Sequence, residues 1–539
     1  MKTHFSLLIC FALFAFVSSS QTFTDSDLPI VVVTTTGGLP IEDDPRIVAH
    51  MGVIDNGPGI RNYLTDPFTN YDGRIEIEIR GSTSQQYPKK GYGLETQDNL
   101  GANAQVSLLG MPVENDWILY GPYPDKTMIR NVLTFDIFRQ MGHYASNTRY
   151  CELTINGEYR GVYVMMERIK RDNDRVVIDD VHTPNTWGDT LTGGYIVKVD
   201  KLTGDVPYSW ESNYDNEVVF QFHDPEFDEL NSFQQSYMED YINEFEDVIW
   251  GPNFNDPLLG WPKYIEAGTF HDFFIMQELG RTVDGYRSSS FLFKDKNTLS
   301  WNARLNAGPM WDFNLSFGNA DYCDADLTTG WQYDFNSICN FSTSIPFWWE
   351  KLLQDPGYAN GLKCRWDELR QGPLKTTTIN NFIDSVASHI EEGRIRNFQK
   401  WPIIGVYVNW NGFVGNTYQE DLDYLKNYME QRSLWMDANI PGNCNLATPV
   451  QEFEAEYHRA WPNPFSDNIN IGFSLFNPGD VTVKIVDLSG RLIQTVEVGY
   501  KNGGAHAINI QNLNLHTGNY LYNVIVDNEV LYSGKMIKM

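Results

Sequence analysis

Apolar positions follow different rhythms along the chain, and each rhythm predicts its own elements. Residues 75–80 (IEIEIR) alternate with period two, the mark of a half-buried strand, while 28–34 (LPIVVVT) is an unbroken apolar run that predicts a buried one. Two apolar runs, 150–155 and 159–167, flank Asn156-Gly157 and predict a hairpin. Further strands are predicted at 194–200, 218–222 and 290–294, and at the aromatic end of 108–120, behind a turn at Pro112. The stretch 37–72, rich in Gly, Pro, Asp and Asn, predicts a long loop or a weakly structured insertion.

Helical spacing takes over elsewhere. A helix is predicted from about 124 to 141, with Asp125 as its N-cap and Gly142 at its end; Ile129, Val132, Leu133, Phe135, Ile137 and Phe138 form its buried stripe. Others are predicted at 228–250, 264–279, 346–353, 364–370, 376–397 and 418–436. His271, on the second of these, reads as a packed or capping residue rather than a general base. A mixed sheet followed by helices makes an α+β, two-lobed pattern. After a linker at 443–456 the pattern changes again: INIGFSLF, VTVKIVDLSG, HAINI, NYLYNVIV and VLYSGKMIKM predict a small all-β sandwich, with Gly490 and Gly518 at turns.

Candidate chemistry collects between 270 and 322. RTVDGYRSSSFLFKDK and LNAGPMWDFNLSFGNADYC each set an aspartate, Asp284 and Asp312, at the edge of a strand or loop. Two carboxylates on neighbouring segments suit a hard cation such as Mg²⁺ and a phosphoryl substrate. Capping of turns in an acidic chain is the other reading of the same pair. Upstream, the strand 75–80 runs into GSTSQQYPKKGY, where Arg80, Lys89 and Lys90 border a hydroxyl-rich turn able to cradle phosphate. The turn is neither a Walker A sequence nor a Gly-x-Gly-x-x-Gly loop, and an exposed basic hairpin is its plain alternative. Arg130, early in the first helix, and Glu167, at the end of its strand, are further candidates. Asp321, Asp324 and Asp326 form an acidic loop that could hold a weak Ca²⁺ site, though not with EF-hand spacing.

Composition narrows the partners. A formal charge of −30 over 539 residues argues against a nucleic-acid partner. Residues 1–20 join Lys2, an apolar run and three serines, as a secretory signal peptide does, and no later stretch is long enough to serve as a transmembrane anchor. Removal of Cys10 with that signal would leave five cysteines, so at least one thiol is unpaired; Cys323–Cys339 is the pairing expected to clip the loop after Asp312.

Five ordered segments resemble the CotH kinase family: IEIRGSTSQQYPKKGYGLET, LLGMPVENDWILYGPYPDKTMIRNVL, MGHYASNTRYCELTINGEYRGVYVMMERIKRD, DGYRSSSFLFKD and GPMWDFNLSFGNADYC. YHRAWPNPFSDNINI, VKIVDLSGRLI and the closing GKMIKM resemble a type A sorting domain of type IX secretion cargo. Together they imply a signal peptide at 1–20, a kinase-like domain at 21–442, a linker at 443–456 and a sorting domain at 457–539. The resemblance implies a two-lobed protein-kinase-like fold using ATP with Mg²⁺ or Mn²⁺, exported by the type IX machinery to the cell surface or beyond and acting on an envelope protein. Asp284 would be the catalytic aspartate and Asp312 the metal-binding one, with Ser289 and Asn314 beside the metal. Arg80, Lys89, Lys90 and Arg130 would contact phosphate, and Glu167 would orient a cation. The chain departs from the family where Ser289 stands in place of Asn five residues after Asp284, and where Asn314 replaces a second Asp. Those departures leave room for a weak kinase, for another phosphate or nucleotide transfer, and for the alternative of an inactive kinase fold with a structural, adhesive or glycan-binding role.

Overall fold

The computed structural model describes residues 23–539 apart from 203–207, 299–301, 340, 445–459 and short stretches of the tail (476–478, 488–490, 502–503, 512, 514, 527–528). The signal segment, most of the linker and Gly490 therefore lie outside the described residues.

The unbroken apolar run does become a strand, Ile30–Thr35, and its partners decide the architecture. It pairs antiparallel with Ile47–Ile54 on one side and parallel with Thr148–Ile155 on the other. That parallel pair closes a seven-stranded barrel whose order continues through Tyr71–Arg80, Gly91–Gln97, Asp116–Tyr120 and Glu158–Glu167. The expected mixed sheet is thus rolled up, and closure removes the edges an open sheet would expose. Period-two alternation fills the interior: Val31, Val33, Met51, Ile75, Ile77, Leu94, Trp117, Leu153, Tyr163 and Met165 make one core. Ile118, Val162, Val164 and Met166 face outward into the helices instead.

Two expectations are corrected here. The stretch 37–72 is not a loop: IVAHMGVI, flanked by Gly- and Pro-rich sequence, is the barrel strand Ile47–Ile54. Its flanks dominate the composition of the window, but burial on the barrel wall settles its conformation. The first helix begins at Arg130 rather than near 124, because Asp125 folds its carboxylate back onto the Thr127 and Arg130 N–H groups and holds the intervening residues in a turn.

A second sheet, wholly antiparallel, has the order Trp210–Glu211, Val219–Asp224, Tyr195–Val199, Ser290–Lys294, Leu305–Ala307. Helices surround it. Ser232–Trp250 opens with an Asn231/Gln234 capping box. Ala267–Gly280 is the central helix, buried along nearly its whole length, its polar His271, Asp272, Gln277 and Glu278 included. The predicted helix 376–397 is two, Thr376–His389 and Glu391–Lys400, which meet at the fully buried Ile390. Among the described residues, disulfides join Cys323 to Cys339 and Cys364 to Cys444, and Cys151 is a buried free thiol.

The tail is an all-β sandwich of a three-stranded and a four-stranded sheet. Phe465, Ile469, Ile471, Phe473, Val481, Val483, Ile485, Val524 and Met536 give it a core of its own. Its strand Leu492–Lys501 is not among the predicted ones: after Leu492-Ile493 its apolar residues, Val496, Val498 and Tyr500, stand singly between polar residues and glycine.

Candidate active site

Arg80 is the last residue of its barrel strand, paired with Gly91, so the barrel delivers its side chain at a rim. The guanidinium lies 5.3 Å over the ring of Trp311, the residue before Asp312. Burial lowers the Arg80 pKa to about 10, aided by Arg168 and opposed by Asp312. Arginine keeps its charge throughout the physiological range at that value.

Asp312 follows the short strand Leu305–Ala307 and sits in the left-handed region (φ 65°, ψ 47°), which aspartate tolerates better than most residues. The loop behind it is pinned from two directions. Asn131 accepts the Phe313 N–H at 2.7 Å, and Arg130 donates to the carbonyls of Ser316 and Phe317 at 2.9 and 3.5 Å. From the other side, Phe317 N–H donates to the Gly280 carbonyl at 2.7 Å, where the central helix ends. Asp312 keeps open surface although protein surrounds most of it, so its carboxyl is accessible yet poorly solvated. Burial, then Asp284 and Asp200, push that carboxyl up to about 6 against the pull of Arg80 and Lys201.

Asp284 lies in the loop between the central helix and the strand Ser290–Lys294, its carboxylate 3.7 Å from Arg287. Burial raises its pKa too, with Arg287 and Lys201 opposing and Asp200 adding to the rise.

Asp200 is the residue the sequence reading missed. Val199 is in register with Ser290, and the next step along both strands sets Asp200 against Ser289, whose N–H donates to Asp200 Oδ1 at 3.2 Å. Lys198 pairs with the other oxygen at 2.8 Å. No local motif marks Asp200; only that cross-strand pairing brings it to the cleft. Lys201 follows directly, and its Nζ donates to Thr83 Oγ1 at 3.2 Å, tying the hydroxyl-rich turn to the acidic side.

Backbone strain gathers in the same region. Of the non-glycine residues with positive φ, Arg281, Tyr286, Ser289, Asp312, Phe317, Cys323 and Asp324 fall within one stretch of 44 residues or fewer around the two aspartates.

The remaining candidates are placed otherwise. Lys89 is buried beneath the barrel, donating to the Val162 carbonyl at 2.5 Å and to Asn397 Oδ1 at 2.8 Å, and burial lowers its pKa to about 7. Lys90 donates to the Gln85 carbonyl within its own turn. Arg130 forms a buried ion pair with Asp125 at 2.7 Å and acts on the cleft only by holding the loop after Asp312. Glu167, fully buried, accepts from Tyr144 Oη at 3.1 Å and from the Asn147 N–H at 2.9 Å, with no lysine among these partners. Asn314 lies in the turn after Asp312, its carbonyl accepting from Asn319 at 2.7 Å. Ser289 meets Asp200 through its backbone. In the acidic loop, Asp321 accepts from Tyr407 Oη at 2.6 Å, while Asp324 and Asp326 are exposed.

Among the described residues, no three His, Cys, Asp or Glu side chains gather into a complete metal site, the acidic loop included. Asp312 and its neighbours nonetheless suit Mg²⁺ or Mn²⁺ chemically, because such an ion takes one or two carboxylates and completes its shell with phosphate oxygens and water. A separate polar cleft of about 590 Å³, lined by Arg168, Lys170, Arg171, His223 and several carboxylates, includes none of Arg80, Asp200, Asp284 or Asp312.

Comparison with known proteins assigns two parts of the chain. The family described as CotH kinase protein matches residues 77–436, and the secretion system C-terminal sorting domain matches 459–539. No curated protein matches. Among solved structures, the alkylpurine DNA glycosylase AlkC of Pseudomonas fluorescens, bound to DNA containing an abasic-site analogue, is 14% identical over 37% of this chain and 56% of its own, with a TM-score of 0.13. The chain thus spans little over half of that protein's length, and so small a likeness carries no argument. The sorting domain implies secretion across the outer membrane through the type IX machinery; among the described residues no helix is long and apolar enough to cross a membrane. With more than half of its length matched, and Arg80, Asp200, Asp284 and Asp312 all inside the matched region, the chain belongs to the CotH kinase family and carries a type IX sorting domain.

Proposed function

We propose that this secreted protein transfers the terminal phosphoryl group of ATP to a hydroxyl of an envelope polymer, in the cleft between the barrel and the second sheet. The observation that carries the reading is that Asp284 and Asp200, from separate segments, raise the pKa of the accessible Asp312 carboxyl while Arg80 and Lys201 lower it. Carboxylates that raise one another's pKa are relieved when a cation joins them. In this reading the barrel and the helical part act as two lobes, as in a protein kinase.

Asp312 would hold a divalent cation, with Asp200 adding charge from the opposite strand. The ion's contribution is to neutralise charge on the phosphates. Arg80, over the Trp311 ring, contacts the phosphate oxygens; Lys201 draws the turn containing Thr83 over them. Asp284, oriented by Arg287, aligns the acceptor hydroxyl and takes its proton. Lys89 has no part in this scheme, being occupied by carbonyls.

A calorimetric titration with an ATP analogue, first in Mg²⁺ and then in Mn²⁺, tests the proposal. Binding in at least one metal is expected, reduced at least tenfold by Asp312→Asn. Absence of nucleotide binding under both metals would sink the idea and favour the inactive, adhesive alternative, which the Ser289 and Asn314 departures motivate.

A further inference from the structure

We infer that the acceptor is a saccharide and that an aromatic rim beside Asp284 binds it, an inference that rests on the phosphotransfer reading above. The rim starts at the cleft. Arg287, the ion-pair partner of Asp284, lies with its guanidinium 4.4 Å over the rings of both Phe335 and Phe341. Phe341 meets Tyr322 edge to face at 5.8 Å, and Tyr322 meets Trp410 in the same manner at 6.1 Å. Tyr322 is also close enough to Asp284 for the carboxylate to raise its pKa, after the larger effect of burial. Beyond Trp410, the Tyr407 hydroxyl accepts the Trp410 N–H at 3.1 Å and donates to Asp321 at 2.6 Å. The result is a continuous aromatic wall leading outward from Asp284.

The wall is built and open. The Cys323–Cys339 disulfide clips the segment that carries Tyr322 and leads to Phe341. Cys323, Asp324 and Trp410 are all held at positive φ, a cost that surrounding contacts must sustain. Yet Tyr407 is 52% and Phe341 42% exposed. Neighbouring aromatic rings left in water beside a reactive carboxylate call for an occupant.

The chemistry of the rim selects that occupant. A pyranose offers a face of C–H groups the size of an aromatic ring, with hydroxyls around its edge. Ring faces of Tyr407 and Trp410 match the former. Carboxylates accept hydrogen bonds and donate none, so Asp321 and the exposed Asp324 and Asp326 match the latter. The exposed charged groups beside these rings, Asp321, Asp324 and Asp326, are all anionic, so a neutral sugar complements the rim better than an anionic one. In the transfer, the sugar oxygen forms a bond to the γ-phosphorus of ATP as the bond from that phosphorus to the β,γ-bridging oxygen breaks. The hydroxyl proton passes to Asp284, and ADP and a sugar phosphate monoester leave.

The full chain is titrated by calorimetry with cellohexaose, mannohexaose and chitohexaose, in Mn²⁺ with a non-hydrolysable ATP analogue, and then incubated with each sugar and γ-labelled ATP. At least one hexasaccharide is expected to bind and to become labelled. Tyr407→Ala combined with Trp410→Ala should weaken its binding at least tenfold while leaving analogue affinity within twofold; Asp324→Asn, at an exposed position, should weaken it without disturbing the fold. Analogue binding with no sugar bound, or label passing only to serine and threonine peptides, overturns the saccharide assignment while sparing the phosphotransfer reading. Failure to bind the analogue removes both.

Discussion

Replacing Arg432 with methionine takes the cation from an ion pair in which both side chains are fully buried. Arg432 donates to Glu278 Oε2 at 3.2 Å, to the Glu278 carbonyl at 2.7 Å and to the carbonyls of Thr328 and Gly330 at 3.2 and 2.6 Å. It thereby joins the helix Tyr418–Asn439 to the end of the central helix, from which the Asp284 loop departs. Breaking a buried pair from one side costs about 3–5 kcal/mol, because the remaining charge stays buried. Glu278 limits that loss: it can take up a proton, at a cost of about 1.4 kcal/mol for each pH unit above its ordinary value. From the ordinary value of 4.5, the ceiling is about 4 kcal/mol at pH 7.5 and about 1.4 kcal/mol at pH 5.5. The sign follows from a raised carboxyl pKa in the folded variant, whose benefit is present at low pH and lost as pH rises. Three donors remain to Glu278, the N–H groups of Gln332 and Tyr333 at 2.6 and 2.9 Å and Tyr286 Oη at 3.0 Å, so the loss should fall near the lower end of the range. Urea unfolding with disulfides oxidised, followed by tryptophan fluorescence and far-ultraviolet circular dichroism, measures it. The variant should lose about 3 kcal/mol at pH 7.5 and distinctly less at pH 5.5. An equal loss at both pH values, or a loss under about 1 kcal/mol at the higher one, refutes the reasoning.

Arg80→Met should weaken nucleotide binding at least tenfold with little change in stability, whereas Lys89→Met should leave nucleotide affinity within twofold; paired titrations separate the two, and the reverse order would reassign the phosphate contact. His271, 6% exposed and packed 4.4 Å from the Tyr358 ring, has its pKa lowered to about 4 by burial. Its neutral form stabilises the fold above about pH 6.5 and that contribution is lost as pH falls toward 4, so the stability gap between wild type and His271→Gln should narrow by up to about 3 kcal/mol across that window in urea titrations. Substituting serine at both Cys364 and Cys444 opens a loop of sequence separation 80 and should cost about 2–4 kcal/mol, read as a lower urea midpoint; an unchanged midpoint would mean that the unfolded chain gains no freedom.

Local pattern determined a good deal of this protein. Alternation in IEIEIR and the Asn156-Gly157 turn carry enough information to set strands and a hairpin, since side-chain direction in a strand has period two whatever the fold. The sorting sandwich and most helices were legible for the same reason, and Asp284 and Asp312 stood out because each sits among aromatic residues at an element's edge. Tertiary structure decided the rest. Barrel closure depends on the parallel pairing of Ile30–Thr35 with Thr148–Ile155, a contact between distant segments that no local window contains. That closure buries Ile47–Ile54, whose flanks resemble a loop, and it separates Arg80 from Lys89: one reaches the rim while the other is fixed beneath the barrel by the Val162 carbonyl and Asn397. Asp200 is the sharpest case. Nothing next to it in sequence distinguishes it from other strand-end aspartates, and it enters the cleft only because Val199 pairs with Ser290, a register chosen by burial on both faces of the second sheet.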